Sequence, residues 1–428
     1  MSVRAAVLAL AVATLVGPAP VPAAVVGPPA PPPVSSDPPP GHRPGPAPGL
    51  RAQQACSPAA PDAPAPGAAG IPDAATRMQL DAVHRLATGA GQVVAVIDTG
   101  VERHPQLGSR LRAGGDYLTG GDGFDDCDGH GTAVAGVIAA AADAPGGMSG
   151  MAPGATVLAI RQSSPSYAVA GPSGSSHQAG DTETLADAIV LAVREGAGVI
   201  NISEAVCVAP GLAATTGESV HAALRFAARS DVVVVAAAGN VGSGSCAAAG
   251  TAQVPLPAWY DELLAVGAVG PDDAPADFTV PGPWVDVAAP GTDMRSLAVG
   301  GGTTDIDVRG TSFAAPWAAG LAALIRQRFP ALTAAQVTDR IIATARRPAG
   351  GRNDTVGNGV IDPVAALTAV PAVLDRAVAA AAPQAELPPA PTPPALPAGG
   401  AGLDLTATAA LLAAGALAAW QLRRRRPA

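Results

Sequence analysis

Three polar residues interrupt apolar segments of the chain with the side chains that acyl transfer requires. Asp98 closes the run Val93-Val94-Ala95-Val96-Ile97. His130 lies in Asp128-Gly129-His130-Gly131-Thr132, and Ser312 in Gly310-Thr311-Ser312-Phe313-Ala314-Ala315-Pro316. A serine hydroxyl is a weak nucleophile at neutral pH and needs a neighbouring base to take its proton as it attacks. His130 suits that task, between two glycines that let other backbone approach closely. Asp98 would orient the imidazole and stabilise its protonated form without accepting the proton. Asp, then His, then Ser is one of three unrelated chain orders in which this constellation occurs. A fourth residue, Asn240, ends the apolar run that starts at Val232. Its amide, with the Ser312 backbone N–H, can donate to a developing oxyanion, an interaction worth about 10²–10³ in rate.

Each residue also has a plainer reading. Ser312 could simply cap a core helix, Asn240 could make a turn after Gly239, and a lone histidine is more often structural than catalytic. The other five histidines fit structural places better: His42 in a Pro-rich arm, His84 and His221 in predicted helices, His104 in a His-Pro turn and His177 in a Ser/Gly-rich loop. Asp98-Thr99-Gly100 also spells an aspartic protease signature. That chemistry shares one proton between two carboxylates, and no second Asp-Thr-Gly occurs.

The elements that must position these residues alternate between strand and helix. Residues 93–98, 155–161, 198–203, 232–237, 263–269 and 284–287 read as strands. Residues 132–142, 182–195, 218–229 and 313–329 read as helices, as does a segment after the capping box Thr333-Ala334-Ala335-Gln336. Continuous apolar strands are the kind that a parallel sheet covered on both faces needs. The pattern therefore predicts an α/β fold with a mostly parallel central sheet and helices on both faces. Such sheets place chemistry at the carboxyl ends of their strands, where Asp98 and Asn240 stand. Ser312 opens its helix where free N–H groups and the dipole favour negative charge, and Pro316 is expected in the helix's first turn. Residues 78–87 read as a short amphipathic helix, and residues 162–180 as a loop.

Outside that core the composition changes. Residues 1–24 resemble an export signal: Arg4, an apolar stretch, then Pro22-Ala23-Ala24. Residues 25–76 form a Pro-rich extension, too rich in Pro, Ala and Gly to bury a core. Residues 77–370 are the catalytic domain, and residues 371–402 an Ala/Pro-rich linker. Residues 403–422 are the expected membrane helix, followed by a basic tail, residues 423–428. The charge-free stretch 405–422 has 18 residues, about 27 Å as a helix. The Arg423–Arg426 cluster places the tail in the cytoplasm and the catalytic domain outside it. A net charge of −9, with no basic stripe before that tail, argues against nucleic acid as a partner. Four cysteines in an exported chain imply two disulfides, with three possible connectivities, and no Cys-x-x-Cys pair suggests zinc. No metal or cofactor is expected.

With these residues quoted, the chain resembles the subtilases, serine proteases of the subtilisin type, over residues 79–367. The matching blocks are Asp98-Thr99-Gly100, His130-Gly131-Thr132 and Gly310-Thr311-Ser312 with Ala314-Ala315-Pro316. The resemblance implies a subtilisin-like fold, endopeptidase activity and Asn240 as oxyanion donor. Within the family the chain is similar to the mycosins, membrane-anchored proteases of type VII secretion. That similarity rests on the signal, the Pro-rich arm, Asp126-Cys127-Asp128-Gly129-His130, Gly357-Asn358-Gly359-Val360-Ile361-Asp362-Pro363 and the terminal span with its basic tail. It implies bridges Cys56–Cys127 and Cys207–Cys246, protein or peptide substrates, and type VII secretion membrane components as partners. It also implies a structural role in stabilising the secretion complex. Two departures stand out. Ser203-Glu204-Ala205 replaces the Ser-x-Gly edge segment of many subtilases, which pairs with extended peptides by strand addition. Ala133 replaces the usual His after His-Gly-Thr. A disulfide at Cys56 would keep the arm attached.

Overall fold

Apolar runs become buried strands here because both faces of the sheet are covered. The structure, a computed structural model, describes residues 30–31, 41–56, 73–141, 148–171, 175–246, 253–305 and 309–370. The chain divides into two units, Met1–Ala381 and Ala382–Ala428, and every described residue lies in the first. The expected export signal, linker, membrane helix and basic tail lie outside the described residues. Among the described residues, no helix is long and apolar enough to cross a membrane.

Seven strands make the main sheet: β1 (Val93–Asp98), β2 (Leu111–Asp116), β3 (Thr156–Arg161), β4 (Val199–Ile202), β5 (Val233–Ala237), β6 (Leu264–Val269) and β7 (Val287–Pro290). Their order is β7-β6-β5-β4-β1-β3-β2, and every pairing is parallel. Side chains alternate between two cores. Val94 and Val96 enter one with Val233, Val235 and Ala237. Ala95 and Ile97 enter the other with Val234 and Ala236. Helices α1 (His130–Ala139) and α4 (Thr311–Arg328) cover the first face, while α2 (Thr182–Arg194) and α3 (Glu218–Arg229) cover the second. Helix α5 (Ala334–Thr344) starts at the expected capping box, Thr333 and Gln336 each satisfying the other's backbone N–H.

The sheet grows in both directions from β1, so the chain's progress reverses between β3 and β4. Crevices in open α/β sheets form at such a reversal, beyond the carboxyl ends of the strands. Asp98 ends β1 at that point.

Four local readings change. Strand β2 was not foreseen, because Leu-Arg-Ala-Gly-Gly-Asp lacks an apolar run. It holds an edge position, with a register shift between Ala113 and Gly115. The strand expected at 284–287 is displaced to Val287–Pro290, the register that pairs with β6. The helix expected at 78–87 is two short helices, Ala74–Arg77 and Leu80–His84, separated at Gln79 with φ 56°. Residues 162–180, read as a loop, contain strands Ser164–Ala170 and Ser176–Ala179. These join Leu50–Ala52 of the Pro-rich arm in a small antiparallel sheet. That pairing depends on a partner more than a hundred residues away, so local pattern carries no sign of it.

Candidate active site

Asp98 is fully buried at the end of β1. Its Oδ1 lies 2.6 Å from His130 Nδ1 and accepts from the Thr99 N–H at 2.8 Å. This contact fixes the ring orientation and turns Nε2 away from the carboxylate. Asp98 Oδ2 is buried with no hydrogen-bond partner among the described residues. His130 is the first residue of α1, after Gly129 with φ 74°. Gly131 explains the neighbouring glycine. A Cβ there would meet Gly100 O at 2.0 Å and Asp98 Oδ1 at 3.1 Å, so any side chain would push the helix off the strand end.

A residue without an expected role holds the two segments together. The buried Asp126 carboxylate accepts from Thr99 Oγ1 at 2.8 Å, Gly129 N at 2.8 Å, Thr132 N at 2.8 Å and Thr132 Oγ1 at 2.6 Å. Thr99 follows Asp98, while Gly129 and Thr132 bracket His130, so one carboxylate ties both segments. Burial raises its pKa, and these hydrogen bonds act in the opposite direction. Its position four residues before His130, in a loop dense with Asp and Gly, was the available signal.

Ser312 occupies the first turn of α4 and is nearly buried, at 7% exposure. Asn240 follows β5, and its Oδ1 accepts from Thr311 N at 2.9 Å and Thr311 Oγ1 at 3.0 Å. With the oxygen so occupied, the amide nitrogen is left facing the other way. The two groups converge at Gly310, where a Cβ would sit 2.8 Å from Ser312 Oγ and 3.2 Å from Asn240 Nδ2. A side chain at that glycine would crowd both.

Pro316 is not in the first turn as expected, because α4 begins at Thr311. Lacking an N–H, it leaves the Ser312 carbonyl, four residues earlier, without its helical donor. The Ser203 hydroxyl fills that place at 2.7 Å and is itself held by Asn201 Nδ2 at 2.8 Å. The proline thus ties the Ser312 turn to the segment that follows β4.

His130, Ser312 and Asn240 all line one cleft of about 1150 Å³, with Asp98 behind His130. No hydrogen bond joins Ser312 to His130. Such contacts are often long in unliganded sites and tighten with substrate. Glu204 and Ser163 line the same cleft and are hydrogen-bonded to each other. Burial opposes the charged form of His130. The Asp98 carboxylate with its hydrogen bond, aided by Glu204 and Asp126, outweighs that and lifts the imidazole to about 9. Glu204 itself is pushed well above the usual carboxylate range, first by burial and then by Asp98 and Asp128, with His130 acting against them.

The four cysteines form Cys56–Cys127 and Cys207–Cys246. The first bridge fastens the arm three residues before His130, and Gln54 and Ala55 of the arm line the cleft. Asp128 accepts from Ser164 and, at 2.5 Å, from Ser166 Oγ. The second bridge joins the segment after β4 to the segment after Asn240, both on the cleft wall. His177, expected in a loop, stands on a strand lining the cleft.

Comparison with known proteins extends these findings. The model of the subtilase family matches residues 89–359. Mycosin-4 of Mycobacterium tuberculosis is 48% identical over 316 residues, covering 68% of this chain and 67% of that protein. The solved structure of the MycP3 protease from the type VII (ESX-3) secretion system is 39% identical with a TM-score of 0.69, covering 81% of this chain and 100% of that one. A chain of an intact ESX-5 inner membrane complex is 34% identical with a TM-score of 0.70, covering 92% of this chain and 97% of that one.

Proposed function

The chain belongs to the subtilase family, and on that premise we propose that it is a serine endopeptidase acting on exported proteins outside the cytoplasmic membrane. Ser312 is its nucleophile, His130 its general base, Asp98 the orienting carboxylate and Asn240 the oxyanion donor. His130 Nε2 takes the hydroxyl proton as Ser312 Oγ attacks the peptide carbonyl. Asp98 holds Nδ1–H and stabilises the imidazolium that forms. Charge on the tetrahedral oxygen is met by Asn240 Nδ2 and the Ser312 N–H at the start of α4. Such donors stabilise the transition state more than the ground state. The imidazolium then protonates the leaving amine, and water repeats the sequence on the acyl-enzyme.

The observation that carries this reading is the convergence of Ser312 Oγ and Asn240 Nδ2 on Gly310, in a cleft shared with an Asp98-bound His130. The direct experiment is Ser312→Ala. Peptidase activity is expected to fall by about 10³-fold or more, with the unfolding transition unchanged. Undiminished cleavage by that variant would refute the assignment.

The likeness to a chain of an ESX-5 inner membrane complex favours a second role that can coexist with the first, as a structural subunit of a type VII secretion membrane complex. The extracytoplasmic placement of the protease domain, with a single C-terminal membrane helix, belongs to this reading. Secretion in a strain carrying Ser312→Ala, compared with a strain lacking the chain, separates the roles. Loss only on deletion indicates the structural role, and loss in both indicates proteolysis.

A further inference from the structure

The loop after β4 carries a carboxylate that the proposed mechanism leaves unused. Strand β1 lies between β3 and β4. Ser163 is two residues past the end of β3, and Glu204 two past the end of β4. Their hydrogen bond therefore spans the carboxyl end of β1, over Asp98 and beside His130. Ser163 also receives support from that end, its N–H reaching Asp98 O at 3.5 Å while that of Gln162 reaches it at 2.9 Å. The neighbouring Ser203 hydroxyl is bonded to the Ser312 carbonyl. This anchors the backbone on which Glu204 stands to the nucleophile's own turn. Glu204 is thus held at a set place on the cleft wall.

Among the described residues, the only titratable group beside Glu204 that favours its charged form is the His130 ring, while burial, Asp98 and Asp128 all oppose it. Ser163 supplies one neutral hydrogen bond to Glu204 Oε1. Among the described residues, no Lys or Arg forms an ion pair with Glu204. Asp128, the next carboxylate on the wall, is satisfied by Ser164 and Ser166. Arg309, an arginine lining the same cleft, is engaged with Asp277 and lies over the Phe278 ring. A partly desolvated carboxylate with a single neutral donor gains most from a cation brought in by the ligand.

We propose that Glu204 is a specificity-determining residue, selecting protein segments that place a lysine or arginine side chain near the scissile bond. This rests on the protease reading above, but its test is separable from that reading. The substrate cation pairs with Glu204 Oε2 while Ser163 keeps Oε1 in position. A charge-assisted contact of this kind predicts a preference of about tenfold or more over an uncharged isostere.

The experiment uses the full chain and quenched-fluorescence peptides that differ only by lysine against norleucine, scanned one position at a time across the scissile bond. The expected result is one position at which lysine raises kcat/KM by about tenfold or more. Glu204→Gln is expected to collapse that ratio towards one, and Glu204→Lys to invert it in favour of a glutamate peptide at the same position. Each variant's thermal unfolding is followed alongside, and Glu204→Asp provides a conservative form that keeps the sign of the preference. Cleavage of all peptides by the wild type without lysine preference at any position would overturn the proposal and leave the protease reading intact. Persistence of the ratio in Glu204→Gln would also overturn it.

Discussion

Replacing Asp126 with Asn tests whether a carboxylate that touches no substrate holds the reacting groups in register. The four hydrogen bonds come from Thr99 Oγ1, Gly129 N, Thr132 N and Thr132 Oγ1 at 2.6–2.8 Å. An amide can keep its oxygen towards Thr99 and Gly129, which share Oδ1. Its NH₂ then faces the Thr132 N–H, donor against donor, and the Thr132 hydroxyl already accepts from Glu102 N at 2.9 Å. One buried backbone donor is left unpaired, at a cost of about 1–3 kcal/mol. Removing a buried charge offsets part of this, so the net destabilisation is about 1–2 kcal/mol, measured by denaturant unfolding. The larger effect is expected on turnover. Release of α1 from the Thr99 turn displaces His130 relative to Asp98, and a misplacement of about 1 Å costs on the order of 10² in rate. Because Asp126 contacts no substrate, kcat should fall with KM little changed. The acid limb of kcat/KM should also move to lower pH, since Asp126 is one of the carboxylates that raise His130. Loss of stability with wild-type kcat, or an effect confined to KM, would refute the positioning argument.

Other predictions follow from the same geometry. His130 works as a base only when neutral and is lifted to about 9, so kcat/KM should climb with pH from 7 towards 9. Glu204→Gln removes a charge that favours the imidazolium, so the limb should shift to lower pH; a shift upward would contradict this electrostatic account. Asp286 is partly buried beside β6, where it accepts from Ala265 N at 2.8 Å. Its carboxyl is raised from 3.8 to about 7, mainly by burial. Between those values the unfolded chain is ionised there while the folded chain holds the proton, so this group's contribution to stability declines as pH rises through that window. Asp286→Asn should flatten that part of the pH–stability curve, read by denaturant unfolding; an unchanged slope would place its cause elsewhere. The Cys56–Cys127 bridge spans a sequence separation of 71. Serine at both positions should therefore lower stability by up to about 4 kcal/mol on the chain-entropy model, and limited proteolysis should then release the arm.

The residues with chemistry announce themselves in the chain because each breaks an apolar pattern. Asp98 and Asn240 end buried runs, and Ser312 opens a helix that is buried for most of its length. The periodicity of those runs also carries the layer order, since β1 divides its side chains between two cores by simple alternation. Long local patterns of this kind need no partner to be recognised. Residues 1–24 and 371–428 are described only by their composition.

Tertiary structure decided whatever depends on a distant partner. Strand β2 has no apolar run and takes its place from pairing with β3, and Leu50–Ala52 becomes a strand only because residues 164–170 offer an edge. Pro316 acquires its consequence from Ser203, more than a hundred residues upstream, which caps the carbonyl the proline leaves free. Asp126 and Glu204 look like ordinary loop acids until folding desolvates them and sets them against Thr99, His130 and Ser163. Hydrogen bonds and charges act over a few ångströms in space, so their partners are chosen by the fold, whereas hydrophobic period is a property of neighbours along the chain.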